Sequence, residues 1–451
     1  MKKLISICIA FMFAMTASAE LIKEGFVEYV PNFVKHTATI TFMDFLEVKQ
    51  EVYTIPSSVL YEGEEYVVTA IAENALKNGR RNTTCKKIIV PSSITVIGKG
   101  AFREFMNIQE IELQSKLEAI PSSAFAQCQS LENITLPEGV KEIGSKAFYG
   151  CKVLKSVNIP SSVTNIYDQA FSQTLIKEVV LPEGMTIIND GAFENMRKLQ
   201  KVTLPSTITQ IDNNVFKYCD RLSDIVLPPH IQSIGNSLFE GCKSLVQITI
   251  PAEVTSIGAY AFRECYELTQ ISLPGSLQLI GLEAFKGAEN FETITFTGAI
   301  PPRISFSAFD FTKLSTVYVP RGCAKSYKEG AGDGAYRPFL ENVNVVEMDQ
   351  DPDITLMLLV VDDIHKKLTA QYDGPREEVL IIQKYVELYN ALSPNAHSSE
   401  NVMTIYRIQK LFNRNPLEAI KKPFAKELKA AKTTDSILAV FNKYLEMCGI
   451  M

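Results

Sequence analysis

Nine cysteines and four histidines are the residues of this 451-residue chain best suited to metal or redox chemistry. Five of the cysteines fall on one spacing: Cys128 and Cys151, then Cys219, Cys242 and Cys265. A ladder of thiols could bind metal or exchange electrons. Tetrahedral zinc, however, needs ligands that converge on a point, whereas residues at a fixed long period lie along a line. The same slot holds Phe105, Met196 and Ala288 elsewhere, which marks it as a place for a small or flexible apolar group. Adjacent thiols about 4.8 Å apart would also lie near the lower limit of disulfide geometry, so oxidation of neighbours stays open. His36, His230, His365 and His397 are isolated from one another, and no H-E-x-x-H, G-x-S-x-G or phosphate-loop pattern occurs. Glu110 and Glu112 form a pair of carboxylates without acidic counterparts at most equivalent positions, as a solvated face would have. These residues predict no enzyme, no cofactor and no metal site.

The elements that position them repeat. Prolines at Pro91, Pro137, Pro160, Pro182, Pro205, Pro228, Pro251, Pro274 and Pro320 are spaced by 23 residues or its multiples, with one interval of 22 before Pro182. Gln114 and Thr297 fill the two empty slots. An L-x-x-L-x-L pattern precedes the proline, as in Leu131, Ile134 and Leu136. An aliphatic residue follows six positions later (Ile97, Ile143, Ile188, Ile257), and a phenylalanine five after that (Phe102, Phe148, Phe193, Phe262). A coil of 23 residues cannot bury its own apolar face, but stacked coils can, through a continuous parallel strand ladder along the I-x-L segments. Proline cannot donate to that ladder and should end each strand. Gly98, Gly144, Asn189, Asp212, Gly235, Gly258 and Gly281 follow the aliphatic residue, and these types predict a left-handed turn there. Pro121 and Tyr167 stand in the same slot, so their two coils should turn differently.

The string Ile134-Thr-Leu-Pro137, Val140, Ile143-Gly144, Ala147-Phe148, Cys151 resembles the BspA-like leucine-rich repeat family. So does Ile248-Thr-Ile-Pro251, Val254, Ile257-Gly258, Ala261-Phe262, Cys265, and the resemblance runs from about residue 52 to 346. It implies a secreted or surface-exposed microbial protein engaged in adhesion or host contact.

Around the repeats the predicted fold is a leucine-rich-repeat solenoid with a β-hairpin amino-terminal cap and a carboxy-terminal all-α domain. Residues 1–19 read as an export signal: Lys2 and Lys3, an apolar run, and Ala17-Ser18-Ala19. The run is short for a membrane span, and Cys8 follows Ile7, unlike a lipid-anchored cysteine. Residues 20–76 form the cap and a divergent first coil, with Phe26–Val30 and Thr37–Phe42 as a hairpin. The repeats occupy 77–320, and a closing element and linker 321–349. In 350–451, Val379, Ile382, Val386 and Tyr389 recur with helical spacing, as do Ile437, Phe441, Tyr444 and Cys448, predicting four or five short helices. Pro375 and Pro416 should start helices, Asp435 cap the last one, and Pro423 break or kink its own.

The formal charge of -6, about -8 without the leader lysines, argues against nucleic acid and anionic lipid as partners. The concave strand face offers the candidate site: Glu112, Thr135, Asn158, Thr203, Thr249, Ser272, Thr295 and Tyr318, each two residues before the proline slot. Strand propensity alone and a ligand-binding face both account for this column. The expected function is a non-enzymatic secreted, periplasmic or cell-surface binding protein for an extracellular protein or glycan. The alternative is a solenoid that targets a helical effector or enzymatic domain.

Overall fold

The computed structural model describes residues 21–223, 225–305, 307–329, 343–348, 384 and 417–447. The leader, the helical pattern around Val379 to Tyr389, Pro375 and Pro416 lie outside these residues. The described residues fall into two compact units. The first runs to Ile294 and resumes over Pro301–Thr316; the second takes in Thr295–Ile300, Val317–Lys328 and the described residues from Asn344 onward.

The first unit opens with the hairpin that the alternating pattern predicts. Strands β1 (Ile22–Glu24), β2 (Val27–Asn32) and β3 (Thr37–Asp44) pair antiparallel in sequence. β4 (Val52–Thr54) lies parallel to Lys87–Val90 and so belongs to the repeat ladder. β5 (Ser58–Tyr61) turns back on β6 (Glu64–Ile71), which pairs with β3 and then, through Ala70 and Ile71, with Val96 and Ile97 of the following coil. Cap and coils therefore share backbone hydrogen bonds, which buries an end that would otherwise expose a row of unpaired amides.

Each coil has three stretches. The I-x-L strand stacks in parallel with a register of 23, as in Glu110 beside Lys87 and Glu178 beside Lys201. The ladder is not continuous, however. It runs from β4 to Asn133–Ile134, continues through a bridge of Thr135 to Asn158, and resumes at Glu178–Val180. That break coincides with the 22-residue interval, whose missing residue lies in the lead-in between Phe171 and Val179. The second stretch is a ladder that the sequence pattern had not revealed, built of two-residue strands ending on the aliphatic slot: Ala119–Ile120, Glu142–Ile143 and Asn165–Ile166, and further sets up to Arg303–Ile304.

The third stretch carries the phenylalanines. All of Phe102 to Phe285 in this column are buried. Neighbouring rings stack with centroids 5.1–5.9 Å apart and planes within 18° of parallel, continuing to Phe309. Centroids farther apart than the coil spacing of about 4.8 Å mean offset stacking, the arrangement the ring quadrupole favours.

The left-handed residues flank this phenylalanine at two positions before and two after, as in Ser123 and Gln127 around Phe125, or Asn214 and Tyr218 around Phe216. The glycine slot after the aliphatic residue has ordinary φ, which corrects the expected turn. Glycine is there for space: a Cβ on Gly144 would sit 2.5 Å from the Ser122 nitrogen, and one on Gly98 2.4 Å from the Ala72 carbonyl carbon. The coils of Pro121 and Tyr167 turn as the others do, since Ser123 and Gln169 hold the same left-handed conformation.

That alternation of conformations aims every second peptide along the stack. Gly100, Phe102 and Glu104 donate N–H to the carbonyls of Ser122, Ala124 and Ala126, at 2.8–3.0 Å. Ser123, Phe125 and Gln127 in turn donate to Ser145, Ala147 and Tyr149, at 2.7–2.9 Å. Three chains of amides thus run in one direction from coil to coil. Their cooperative hydrogen bonding offsets the cost of holding side chains such as Gln and Lys at positive φ.

In the second unit, the helix Ala324–Glu329 follows the strand Thr316–Pro320, and the Ala324 amide donates to Glu347 of the strand Asn344–Met348. Helices Leu417–Ala430 and Thr434–Met447 pack Phe424 against Phe441 and Tyr444. Of the expected break or kink at Pro423, the break does not occur, since the first helix continues through it; buried Phe424, Ala425 and Leu428 hold the backbone across the missing hydrogen bond. Thr433, whose Oγ1 accepts from the Ser436 amide, takes the capping place expected of Asp435, because the helix starts two residues earlier than that cap requires.

Candidate functional site

The strand face of the first unit presents the predicted column. Thr135, Asn158, Thr203 and Thr249 are exposed, and Glu112 and Ser272 are half-buried. Thr135 and Asn158 are bridge partners, as are Thr249 and Ser272, and Thr203 lies beside Val180. Ladder pairing sets such neighbours about 4.8 Å apart. Val180 and Val226 continue the column and are 65% and 78% exposed, so apolar side chains stand in water between hydroxyls. Scattered exposed valines are common, but in a column of Thr and Asn they add surface that a partner could desolvate.

Two predicted members belong to the second unit. Tyr318 is half-buried in the strand Thr316–Pro320. Thr295 is only 3% exposed, and this corrects its assignment to an open face: Ile294, Thr295 and Phe296 are all buried, so both sides of that strand are covered.

Charge gathers at one end of the column. Lys87 Nζ lies 2.8 Å from both Glu110 and Glu112, and Gln114 donates to Glu112 at 2.7 Å. These hydrogen bonds, that from Lys87 first, hold the Glu112 carboxyl below the usual carboxylate range. One lysine thus bridges both carboxylates and ties neighbouring strands together at the surface.

The cysteine ladder has a structural use. Cys128, Cys151, Cys219, Cys242 and Cys265 are buried and free. Each thiol donates to the carbonyl of the phenylalanine 26 residues earlier, as Cys219 does to Phe193 at 3.3 Å. Burial raises all five thiols, Cys128 to about 12, so the reactive thiolate is suppressed. Among the described residues no group of three or more His, Cys, Asp and Glu could hold a metal ion.

The repeat geometry coincides with a family match. The model of the BspA type leucine-rich repeat region matches residues 95–223 and 209–329, together just over half of the chain. The chain belongs to this BspA-type leucine-rich repeat family. Solved structures similar to it include a leucine-rich repeat protein from Bacteroides ovatus, 20% identical over 73% of this chain and 100% of that one, with a TM-score of 0.45. A leucine rich cell surface protein from Faecalibacterium prausnitzii is 22% identical over 74% of this chain and 96% of its own, with a TM-score of 0.43. The pneumococcal vaccine antigen PcpA is 17% identical over 74% and 100%, with a TM-score of 0.49. No curated protein matches the chain. The BspA-type repeat gives this chain a stacked repeat architecture, and no helix among the described residues is long and apolar enough to cross a membrane.

Sequence reasoning missed two further surfaces. At the hairpin tip Phe33 packs edge-on to Tyr66 at 5.9 Å, with His36 stacked on the same ring at 5.5 Å. A polar concavity of about 600 Å³ crosses the turns of several coils, lined by Ser122, Ser123 and Ser145 among Lys99, Lys146 and Asp168. Both depend on residues brought together across coils, which no linear motif marks.

Proposed function

We propose that this chain is an exported, non-enzymatic binding protein that presents the strand face of its repeats to an extracellular protein or glycan. The observation that carries the reading is the exposed column of Thr135, Asn158, Thr203 and Thr249, small polar side chains that the buried interior does not require. Export is supported by Lys2 and Lys3, the apolar run behind them and Ala17-Ser18-Ala19. The division of labour follows the sequence boundaries: a leader over 1–19, a cap over 20–76, repeats over 77–320, a closing element over 321–349 and a helical part over 350–451.

An open face of small side chains, whose charged groups gather only at the Lys87 end, suits a broad surface better than a small molecule, because tight pockets enclose their ligands. The test is adhesion of the full chain to a panel of immobilised matrix proteins and glycans. The triple substitution Thr135→Arg, Thr203→Arg and Thr249→Arg places bulk and charge on the face while leaving the interior intact. Loss of binding by about tenfold or more is expected, since each misfitted contact at a desolvated centre costs upward of about 1 kcal/mol. Equal binding by the triple variant would remove the strand face from consideration, and failure of the native chain to bind any member would remove the adhesion reading.

A further inference from the structure

The coil before Phe102 departs from the others by an insertion. Six residues separate Phe102 from Ile108 and Phe125 from Leu131, but nine separate Leu76 from Cys85, which hold the equivalent places. In repeat proteins such additions form loops on one face. Here the loop Asn78-Gly-Arg-Arg-Asn82 is pinned at both ends. Asn78 donates to Asp44 at 2.9 Å. Asn82 is buried, donates to the carbonyls of Phe45 and Val48, and accepts from the amides of Thr84 and Cys85. Between these anchors Arg80 and Arg81 are exposed.

The pinned loop and the next coil border an open concavity of about 520 Å³. Lys77, Arg80, Arg81 and Arg103 line it, with Glu104 as the one carboxylate of the lining. Glu104 sits 3.9 Å from Arg80 and 3.4 Å from Arg103, while Lys77 and Arg81 have no carboxylate within 4 Å among the described residues. Three positive charges in excess thus converge in one recess of a chain whose net charge is -6. No large apolar side chain of the lining is exposed, so the recess has nothing to insert into a membrane. Asn74 and Asn78, also in the lining, supply amide groups of the kind that bind sugar hydroxyls.

We infer that this recess binds a tetrahedral oxyanion monoester, sulfate or phosphate, carried on a carbohydrate. Guanidinium forks match such oxygens two at a time, and a loop fixed before binding has little ordering cost left. One effect opposes the anion. The aligned peptides of the turn stretch begin in this region with their carbonyl ends, a partial negative charge of about half a unit by analogy with a helix terminus. Three whole charges outweigh it. The inference uses none of the strand-face residues and stands or falls apart from them.

Titration calorimetry of the full chain at low salt tests it, with sucrose octasulfate, sucrose, inorganic sulfate and phosphatidylglycerol vesicles as probes. The octasulfate should bind, and binding should weaken as salt is raised. The double variant Arg80→Gln, Arg81→Gln and, separately, Arg103→Gln should each lower affinity at least about tenfold, the worth of a lost charged hydrogen bond. Glu104→Gln should raise it, and Arg221→Gln, elsewhere on the solenoid, should leave it unchanged. Thermal unfolding at the native midpoint checks that each variant is folded, and Arg103 and Glu104 lie outside the inserted loop should that loop fail. Octasulfate binding that is absent, or equal in the arginine variants, overturns the site. Inorganic sulfate binding as tightly as the octasulfate overturns the carbohydrate, and vesicle binding lost in the same variants without sugar binding overturns it in favour of lipid.

Discussion

Phe193→Ala is the sharpest test of the buried ring column. Phe193 is fully buried between Phe171 and Phe216, with both centroids at 5.9 Å and both planes within 8° of its own. Removing the ring leaves a cavity closed on two sides by other rings, which have no freedom to fall into it. Such a truncation costs about 3–5 kcal/mol, a range that already contains the lost stacking. Repeat arrays need not unfold as one unit, so a single denaturation midpoint is a poor measure. Amide hydrogen exchange reports each coil separately. The Phe193 and Phe216 amides, which donate to Val215 and Leu238, should lose protection by about a hundredfold to several thousandfold, at 1.4 kcal/mol per factor of ten. Phe309→Ala, at a half-exposed ring, should cost less, about 1–3 kcal/mol. A loss of under about fivefold at Phe193 would refute a rigid, close-packed column.

Other consequences are simpler to measure. Gly144→Ala should destabilise by about 1–3 kcal/mol through its clash with the Ser122 backbone, whereas a left-handed slot would have produced strain instead; the crystal structure of the variant would show coils 121–144 pushed apart. Native protein at pH 8 should leave Cys128, Cys151, Cys219, Cys242 and Cys265 unmodified by iodoacetamide, while half-exposed Cys323 reacts. Because folding raises these thiols above their ordinary value of 9, their contribution is intact below pH 9. It falls as pH rises toward about 12, where the Cys128 thiol ionises in the native state; a denaturation series across that window should show stability declining.

The repeat and its buried columns were legible because burial at period 23 constrains residue type: Phe125, Phe148 and Phe171 can be little else. The cap hairpin was legible through the alternation of Thr37 to Phe42. The left-handed turns were not. Gln127, Lys146 and Tyr218 carry no sign of positive φ, because the amide chains, a property of neighbouring coils, hold them there. The glycine column misled for a related reason, since close approach and positive φ select the same residue. Thr295 kept the type expected of an open strand face, yet its own burial, beside buried Ile294 and Phe296, shows both sides of that strand to be covered. The arginine recess left one trace, the three-residue excess between Leu76 and Cys85, visible only against the regular coils.

The one-way amide chains also decide how the solenoid answers to tension. A pull along the stack loads the turn amides and strand pairings of one coil boundary side by side but successive boundaries one after another, so the weakest boundary yields first. Each coil freed would release 23 residues, roughly 75–80 Å of extended chain. A molecule stretched between two attachments would then lengthen in even increments, shedding load at each step while the coils still stacked kept their shape.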